Sequence, residues 1–195
     1  MPNLISIRKK IKNFDKKINV DGDKSLSIRW VLFSSIASGV SEARNLLMSE
    51  DVLASIDVIK KLGIKVKKKN NSFKIYGKGI NGYRYKNNLT LNAKNSGTLG
   101  RLILGLIVNS SKSINLIGDK SLSKRDFKRI TLPLSKFGAR FKSKKKVGLP
   151  LTIKGTQNLK PINYIETKGS AQCKSSVIFA GMRTNGKTLI KAKKS

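Results

Sequence analysis

An internal repeat limits what this chain can fold into more than any other feature of its sequence. A predicted helix with Asp51 near its start and Gly63 at its end has a counterpart in which Asp126 and Gly138 take the same places, 75 residues further on. A hairpin pattern follows each of these helices, and a third copy of the same order starts near Gly169. Repetition of this kind predicts α/β units that place their helices in the interior and their strands in a sheet.

The first unit shows helical and strand periodicities in turn. Leu26, Trp30 and Phe33 recur at steps of three and four, which predicts a helix over 25–38 with Gly39 at its end. A second helix begins at the Ser49-Glu50-Asp51 cap and stops at Gly63, and its apolar stripe consists of Val52, Ile56, Ile59 and Leu62. Strands are expected at 16–20, 43–48, 64–67 and 73–76, the last two joined by a turn at Asn70-Asn71.

The second unit repeats this order, and the third begins it again. The predicted elements are a helix from Asn95, a strand over 113–117, a helix from Lys124 to Gly138, and a hairpin over 139–142 and 151–153. The third unit has a helix from Gly169 and a strand over 188–190, and then the sequence stops. A repeat domain is not expected to end within a unit, so we expect this chain to be a fragment.

The charge of the chain suggests one class of partner. Its 195 residues are enough for one large or two small domains, and the formal net charge is +32. Such a charge is compatible with a nucleic-acid-binding module. However, most of the cations are Lys spread evenly along the chain, whereas readout of bases and phosphates favours Arg. Nucleic acid is therefore the weaker of the alternatives.

Several classes of site are excluded by composition. The chain has no His, which rules out a His-based catalytic triad or a His-ligated metal within it. Cys173 is the single Cys, and we expect it to be a small packed residue rather than a nucleophile. No apolar run reaches the length of a membrane span, and we expect a soluble, cytoplasmic protein.

Three predicted helix starts share a chemistry that suits anions. The stretches 22–29, 95–101 and 169–175 each place a hydroxyl at the start of a helix and a cation about one turn later. A helix N-terminus carries partial positive charge and free N–H groups, so each stretch is a candidate phosphate or carboxylate site. Ordinary capping explains any single copy equally well. If the units pack around a local axis, the three starts converge on one ligand, with Arg125 as a further cation.

Other catalytic patterns receive no support from the sequence. The Gly22-Asp23-Lys24-Ser25 stretch lacks the second glycine of a phosphate-binding P-loop, and no dinucleotide fingerprint follows a predicted strand. The few carboxylates are scattered, and no pair for acid–base catalysis can be placed.

As a set, these motifs resemble those of the 5-enolpyruvylshikimate-3-phosphate synthase family. The matching strings are GDKSLSIR at 22–29, SEARNLLMSEDV at 41–52, NSGTLGR at 95–101, GDKSLSKR at 118–125, LPLTIKG at 149–155 and GSAQCKS at 169–175. The likeness runs from about residue 18 to the end of the chain. The related UDP-N-acetylglucosamine enolpyruvyl transferases share the implied fold but match these strings less well, and they remain an alternative.

The resemblance implies an architecture and a reaction. The family fold has two domains of three βαβαββ units each, with the substrates between them. Residues 21–195 would form an incomplete N-terminal domain, and residues 1–20 would be a strand segment belonging to the C-terminal domain. The implied reaction transfers the carboxyvinyl group of phosphoenolpyruvate to the 5-hydroxyl of shikimate 3-phosphate and releases phosphate. It passes through a tetrahedral intermediate and uses no metal or organic cofactor.

Some residues match the family's contacts to both substrates. Lys24 matches the lysine that contacts phosphoenolpyruvate and shikimate 3-phosphate, and it is the one catalytic candidate. Ser25 and Arg29 match contacts to shikimate 3-phosphate. Gly97, through its backbone, and Arg125 match the phosphoenolpyruvate site.

The start of the third unit matches the segment that holds the shikimate ring and its phosphate. Its candidates are Ser170, Ala171 and Gln172, and Ala171 stands where many members have Ser. The implied partners are these two small molecules alone, and the full-length enzyme would be a monomer. The family's proton-transfer carboxylates lie in the C-terminal domain, so we expect little or no synthase activity from the 195-residue chain by itself.

Overall fold

The computed structural model describes residue 6, residue 15 and residues 17–143, 148–167 and 169–192. The helices in these ranges are α1 (Lys24–Ile36), α2 (Glu50–Lys61), α3 (Gly97–Leu106), α4 (Lys128–Lys136) and α5 (Ala171–Gly181). The strands are β1 (Ser38–Arg44), β2 (Lys65–Lys69), β3 (Ser72–Lys78), β4 (Leu89–Asn92), β5 (Ser113–Ile117), β6 (Arg140–Ser143), β7 (Leu151–Lys154), β8 (Asn163–Glu166) and β9 (Leu189–Ala192).

Strand pairing repeats from unit to unit. In the first sheet β3 lies between β1 and β2 and is antiparallel to both. In the second sheet β7 lies between β5 and β6 in the same way, and β4 adds a parallel strand beside β5. In the third sheet β8 is parallel to β9, as β4 is to β5. Helices α1, α3 and α5 therefore hold equivalent places, and the repeated α/β architecture predicted from the sequence is confirmed.

The strands that differ from prediction are those with little sequence signal. The strand of the first unit is β1, not the predicted 43–48. The sequence gives little signal for β1, because this strand is mostly exposed and contains few apolar residues. Leu46 and Leu47 pack against the core after a turn at Asn45, where φ is 55°. The four-residue strands β4 and β8 were not predicted. Of the strand predicted at 16–20, residue 16 lies outside the described residues and 17–20 belong to no strand.

Helix α1 is confirmed, but it buries only part of the apolar set on which it was predicted, because Trp30 is the one of the three that packs against the core. Leu26 is 67% exposed and Phe33 46%, whereas Ile28, Val31 and Leu32 are buried. The helix is apolar around much of its circumference, so its sequence alone does not select the inner face. Contacts with α2 and β3 make that selection. The stripe predicted for α2 is fully buried, as expected.

The predicted start of the second unit's later helix is wrong. Instead of beginning at Lys124, the chain forms a single 3-10 turn over Leu122–Lys124, and α4 begins at Lys128. Arg125 between them is extended, with φ −74° and ψ 149°. The Oδ1 of Asp126 accepts a hydrogen bond from the N–H of Lys128 at 2.7 Å, which delays the helix to that point.

The interior is organised around α3. All of its residues are buried except Arg101, which is partly exposed. Gly105 lets α5 approach closely, because a Cβ at this position would lie 2.1 Å from the carbonyl oxygen of Ser176. The Ser176 hydroxyl in turn donates to the carbonyl of Arg101 at 2.9 Å. This contact sets α3 and α5 side by side.

Candidate active site

Helices α1 and α5 run in the same direction. Phe33 and Phe179 occupy similar positions along the two helices, and their ring centroids are 4.7 Å apart. Near the C-terminal ends, Tyr83 connects the helices. Its hydroxyl is hydrogen-bonded to Ser35 at 2.7 Å, and the guanidinium carbon of Arg183 lies 5.8 Å from its ring centroid. These contacts lie near the C-terminal ends of both helices, and together with the equivalent places of α1 and α5 in their units they agree with a parallel arrangement.

Helices α3 and α5 are parallel, because contacts join them at both ends. Gln172 in the first turn of α5 donates to the hydroxyl of Thr98 in the first turn of α3 at 3.0 Å. Beyond their C-terminal ends, Arg183 donates to the Oδ1 of Asn109 at 3.0 Å. The starts of all three helices therefore lie at one end of the molecule. The free N–H groups of three first turns give that end a positive potential.

Gln172 joins the second helix start to the third. Its Oε1 accepts a hydrogen bond of 2.6 Å from Nη1 of Arg101, while its Nε2 donates to Thr98. Ser96 and Ser170 cap their own helices, and each hydroxyl oxygen accepts a backbone N–H bond of 3.2 Å. The caps organise each start locally, and Gln172 connects the two.

Two guanidinium groups meet over Gly97. A Cβ at Gly97 would lie 2.9 Å from Nη1 of Arg125 and 3.0 Å from Nη1 of Arg101. Within the described part of the chain neither Arg forms an ion pair. Burial, with smaller effects from Arg125 and Arg129, lowers the pKa of Arg101. A guanidinium nevertheless keeps its charge in proteins. Two cations this close repel each other, and an anion between them would relieve that repulsion.

Arg125 is held in place by residues that the sequence did not single out. Its Nη2 donates to Oδ1 of Asn95 at 3.2 Å, and Nδ2 of Asn95 donates to Oδ2 of Asp119 at 2.5 Å. Asp119 also accepts a bond from the Leu122 N–H at 2.7 Å, which, together with Asn95, lowers the pKa of the carboxyl. The sequence signal that could have identified Asp119 is the repeated GDKSLS string, in which Asp119 occupies the place of the capping Asp23.

The first helix start has a different set of contacts. Nζ of Lys24 lies 3.5 Å from Oδ2 of Asp51 in the first turn of α2, with the Lys24 side chain half exposed. Nη1 of Arg29 donates to the Ser25 carbonyl at 3.2 Å, so the Arg29 side chain folds back along the first turn of α1. Asp23 caps α1 by accepting a bond from the Leu26 N–H at 2.7 Å. Lys24, Ser25 and Arg29 thus lie together, separate from the direct contacts around Gly97.

The third helix start combines an acidic anchor with an open hydroxyl. The N–H of Ser170 donates to Oε2 of Glu166 at 2.7 Å, and Glu166 is only 3% exposed. The Ser170 hydroxyl oxygen accepts the bond from Cys173, which leaves its proton free to donate to a ligand. Ala171 is exposed and offers no side-chain hydrogen bond. Cys173 is buried, which agrees with its expected role as a small packed residue.

This end of the molecule can bind anionic ligands by several means at once. It offers three helix starts, the cations Lys24, Arg29, Arg101 and Arg125, and the amide of Gln172. Such groups fixed before a ligand arrives can offset the repulsion between two anionic reactants and stabilise charge that develops during reaction. Among the described residues, no group of His, Cys, Asp and Glu is placed to hold a metal ion. None of the helices in the described ranges is long and apolar enough to cross a membrane.

Comparison with known proteins identifies relatives along nearly the whole chain. Residues 8–195 match the family model described as EPSP synthase (3-phosphoshikimate 1-carboxyvinyltransferase). A 3-phosphoshikimate 1-carboxyvinyltransferase of Streptococcus agalactiae is 45% identical over 174 residues, covering 89% of this chain and 40% of the relative. Its namesake in Streptococcus suis is 39% identical over 187 residues, covering 95% of this chain and 44% of the relative.

Solved structures agree with the sequence relatives. The EPSP synthase of Acinetobacter baumannii superposes with a TM-score of 0.86 at 34% identity, covering 92% of this chain and 41% of the solved one. A second structure from the same organism gives the same TM-score at 35% identity. The chain thus spans about 40% of the length of the relatives that it matches.

Proposed function

Because this chain belongs to the EPSP synthase family, we propose that it forms part of a 3-phosphoshikimate 1-carboxyvinyltransferase of the shikimate pathway. In this proposal, residues 21–195 belong to the family's N-terminal domain and the helix starts form one wall of the substrate cleft. The enzyme transfers the enolpyruvyl group from phosphoenolpyruvate to the 5-hydroxyl of shikimate 3-phosphate and releases phosphate. It works without a metal or organic cofactor, as a cytoplasmic monomer.

The observation that supports this proposal best is the pair of guanidinium groups over Gly97. Nη1 of Arg101 and Nη1 of Arg125 both lie within 3.0 Å of the place that a Cβ would take at Gly97, and neither Arg has an acidic partner among the described residues. Phosphoenolpyruvate carries a carboxylate and a phosphate, and an Arg fork matches either group. We assign Gly97 and Arg125 to phosphoenolpyruvate, with the backbone at Gly97 available because no side chain covers it.

Shikimate 3-phosphate is assigned to the other two helix starts. Ser25 and Arg29 on α1, the α5 cap Ser170 and Gln172 on α5 supply hydroxyl, guanidinium and amide donors to its phosphate and ring hydroxyls. Ala171 contributes only its backbone at the first position of α5. The bridge from Gln172 to Arg101 then couples the two substrate sites through one hydrogen bond.

Lys24 is assigned to both substrates and to the chemical step. In that step the 5-hydroxyl oxygen adds to C2 of phosphoenolpyruvate, the methylene carbon gains a proton, and elimination of phosphate with loss of a proton restores the double bond. Negative charge on the phosphate group must be held throughout. Lys24 is the first residue of α1, and its ion pair with Asp51 positions the ammonium group. A positive charge at this place is suited to this role.

A ligand-stabilisation experiment on the purified 195-residue chain tests this proposal. Shikimate 3-phosphate should raise the melting temperature, since a ligand present at 100 times its Kd adds about 2.7 kcal/mol to stability. Shikimate without the phosphate, at the same concentration, should give a much smaller rise. Stabilisation by UDP-N-acetylglucosamine in its place would assign the chain to the related transferases. Salt-sensitive binding of random DNA, without any response to shikimate 3-phosphate, would instead favour a nucleic-acid-binding module.

A further inference from the structure

Two short segments meet beside the candidate active site, and a backbone hydrogen bond joins them. The segment 93–96 leads from β4 into α3, and the segment 118–121 leads from β5 to the 3-10 turn. The N–H of Asp119 donates to the Lys94 carbonyl at 2.8 Å. The two segments are therefore fixed against each other, with the side chain of Asn95 on one and that of Asp119 on the other.

The two carboxylate oxygens of Asp119 have separate partners. Oδ1 accepts the 2.7 Å bond from the N–H of Leu122, and Oδ2 accepts the 2.5 Å bond from Nδ2 of Asn95. An ionised carboxylate accepts hydrogen bonds and donates none. The group that faces Oδ2 must therefore be a donor, and the only donor on the Asn95 side chain is its NH2 group.

The direction of the Asn95 amide follows from that requirement. With its NH2 group on Asp119, the amide keeps its oxygen for Arg125, and this Oδ1 accepts the 3.2 Å bond from Nη2 of Arg125. A reversed amide would set its NH2 group against the guanidinium, where neither group can accept a hydrogen bond. Asp119 thus selects the amide orientation that can hold Arg125.

The bond to Asn95 determines which part of Arg125 faces the site. It engages Nη2, while Nη1 lies 2.9 Å from the place that a Cβ would take at Gly97. Arg29 follows the first GDKSLS string at the same distance at which Arg125 follows the second. Nη1 of Arg29 instead donates to the Ser25 carbonyl of its own helix. The local sequence therefore does not direct an Arg at this place, and a contact from another segment directs Arg125.

We infer that Asp119 is a positioning residue for the phosphoenolpyruvate site and acts through Asn95. Asp119 fixes the direction of the Asn95 amide, and that amide holds the guanidinium of Arg125. Nη1 of Arg125 then stays available for an anion over Gly97. The inference deepens the proposed function and rests on it, because it takes Arg125 as a ligand of phosphoenolpyruvate.

Charge alone predicts the opposite effect of a change at Asp119. Loss of a negative charge near an anion site favours the bound anion, whereas loss of a positioning residue weakens binding. Asp119→Asn separates the two, because it removes the charge but keeps the size of the side chain and a good capping residue. With its oxygen on the N–H of Leu122, the new amide turns its NH2 group toward Asn95. The Asn95 amide then either meets a second donor or turns its oxygen away from Arg125.

Calorimetry on the purified 195-residue chain, in the presence of shikimate 3-phosphate, measures the result. Phosphoenolpyruvate binding should weaken about three- to tenfold in Asp119→Asn, as expected for the loss of one hydrogen bond. Asp126→Asn is the matched control, because it removes the same charge next to Arg125 and keeps an oxygen for the Lys128 N–H. This control should not weaken binding. Thermal unfolding of each variant shows that it is folded.

A double-mutant cycle tests the route through Asn95. Once Asn95→Ala has removed the amide, the further change Asp119→Asn should weaken phosphoenolpyruvate binding no more, because the two residues act on Arg125 in series. The inference is overturned if the two losses add. It is also overturned if Asp119→Asn alone binds phosphoenolpyruvate as tightly as the wild-type chain, or more tightly.

An NMR measurement without substrate separates this inference from the proposed function. The side-chain signals of the Asn95 NH2 group and of the Arg125 Nε–H should both shift in Asp119→Asn, and the Asn95 signal should stay in place in Asp126→Asn. If the wild-type chain binds no phosphoenolpyruvate, the assignment of that substrate fails. If the Arg125 signal is unchanged in Asp119→Asn, the positioning role fails, whatever the binding data show.

Discussion

The six-residue string GDKSLS occurs twice in this chain and forms two different structures. At 22–27 it begins α1, which runs to Ile36, and at 118–123 it leads to a single 3-10 turn that ends at Lys124. The first bonds are the same in both copies. Asp23 and Asp119 each accept a 2.7 Å bond from the N–H of the leucine three residues on. The local sequence therefore dictates the cap, and something else dictates whether a helix follows it.

The two copies diverge at the carbonyl of the last serine. Inside an α-helix such a carbonyl accepts from the N–H four residues further along. The carbonyl of Ser123 instead accepts a bond from the N–H of Leu149 at 3.2 Å, and Gly148 permits this approach because a Cβ there would lie 2.1 Å from the same oxygen. A partner distant in sequence thus ends the second copy after one turn. Arg125 is left extended, and its Nη1 lies beside Gly97.

The two copies also differ in the burial of their leucine, and this difference predicts the largest effect on stability. Leu122 is fully buried, whereas its counterpart Leu26 is 67% exposed. Leu122→Ala should lower the free energy of unfolding by about 2–5 kcal/mol, because it leaves a cavity in the core. Leu26→Ala should change it by less than about 0.5 kcal/mol. Urea denaturation of both variants measures the difference, and similar losses would contradict a role for burial at Leu122 alone.

Gly97→Ala tests whether the extended Arg125 serves a ligand. The new Cβ would come within 3.0 Å of two guanidinium nitrogens and displace them, while the helix itself gains propensity. Binding of phosphoenolpyruvate, measured by calorimetry in the presence of shikimate 3-phosphate, should weaken at least about tenfold, which is 1.4 kcal/mol.

Gly181→Ala is the matched control for that substitution. Gly181 also lies in a helix, but its Cβ would meet only the side chain of Thr188, at the far end of α5 from the site. Ligand binding should be unchanged in this variant. An equal loss in both variants would mean that the helices, and not the guanidinium pair, carry the effect.

Both copies have an aspartate cap, and removing the one at α1 should lower stability by less than the loss of Leu122 does. Asp23→Ala leaves the first-turn N–H of Leu26 unpaired and should lower the free energy of unfolding by about 1 kcal/mol. Asp23→Asn keeps a good capping residue and should lower it by much less. Thermal unfolding of the two variants separates capping from charge, and a full loss in Asp23→Asn would assign the effect to charge.

The smallest expected effect is a pH dependence that belongs to the second copy. The pKa of Asp119 is lowered from its ordinary 3.8, mainly by the hydrogen bond from Leu122. Its ionised form therefore stabilises the fold above the ordinary pKa, and this contribution is lost as the pH falls through the lowered value. Compared with Asp119→Asn, the wild-type chain should show an advantage at pH 6 that shrinks below about pH 4. A constant advantage across this range would contradict the assigned cause.

Regular elements with strong periodicity were predictable, and those with a weak pattern were not. The stripe of α2 and the β2–β3 hairpin follow from residue spacing alone. Strand β1 was misplaced because Ser38–Arg44 is exposed and exists through its pairing with β3. The inner face of α1 was misjudged because Leu26 and Phe33 are as apolar as the residues that are buried. In both cases the missing information lay in the neighbours.

The sequence by itself determined the repeated units, the caps at Asp23, Ser96 and Ser170, and the anion-attracting chemistry of the three helix starts. Each of these depends on residues within a few positions of one another. Tertiary structure alone decided that Gln172 bridges to Arg101. It also decided that Arg125 lies outside any helix and meets Arg101 over Gly97. The physical reason is that these contacts join segments up to 71 residues apart, so only chain packing brings their donors and acceptors within reach.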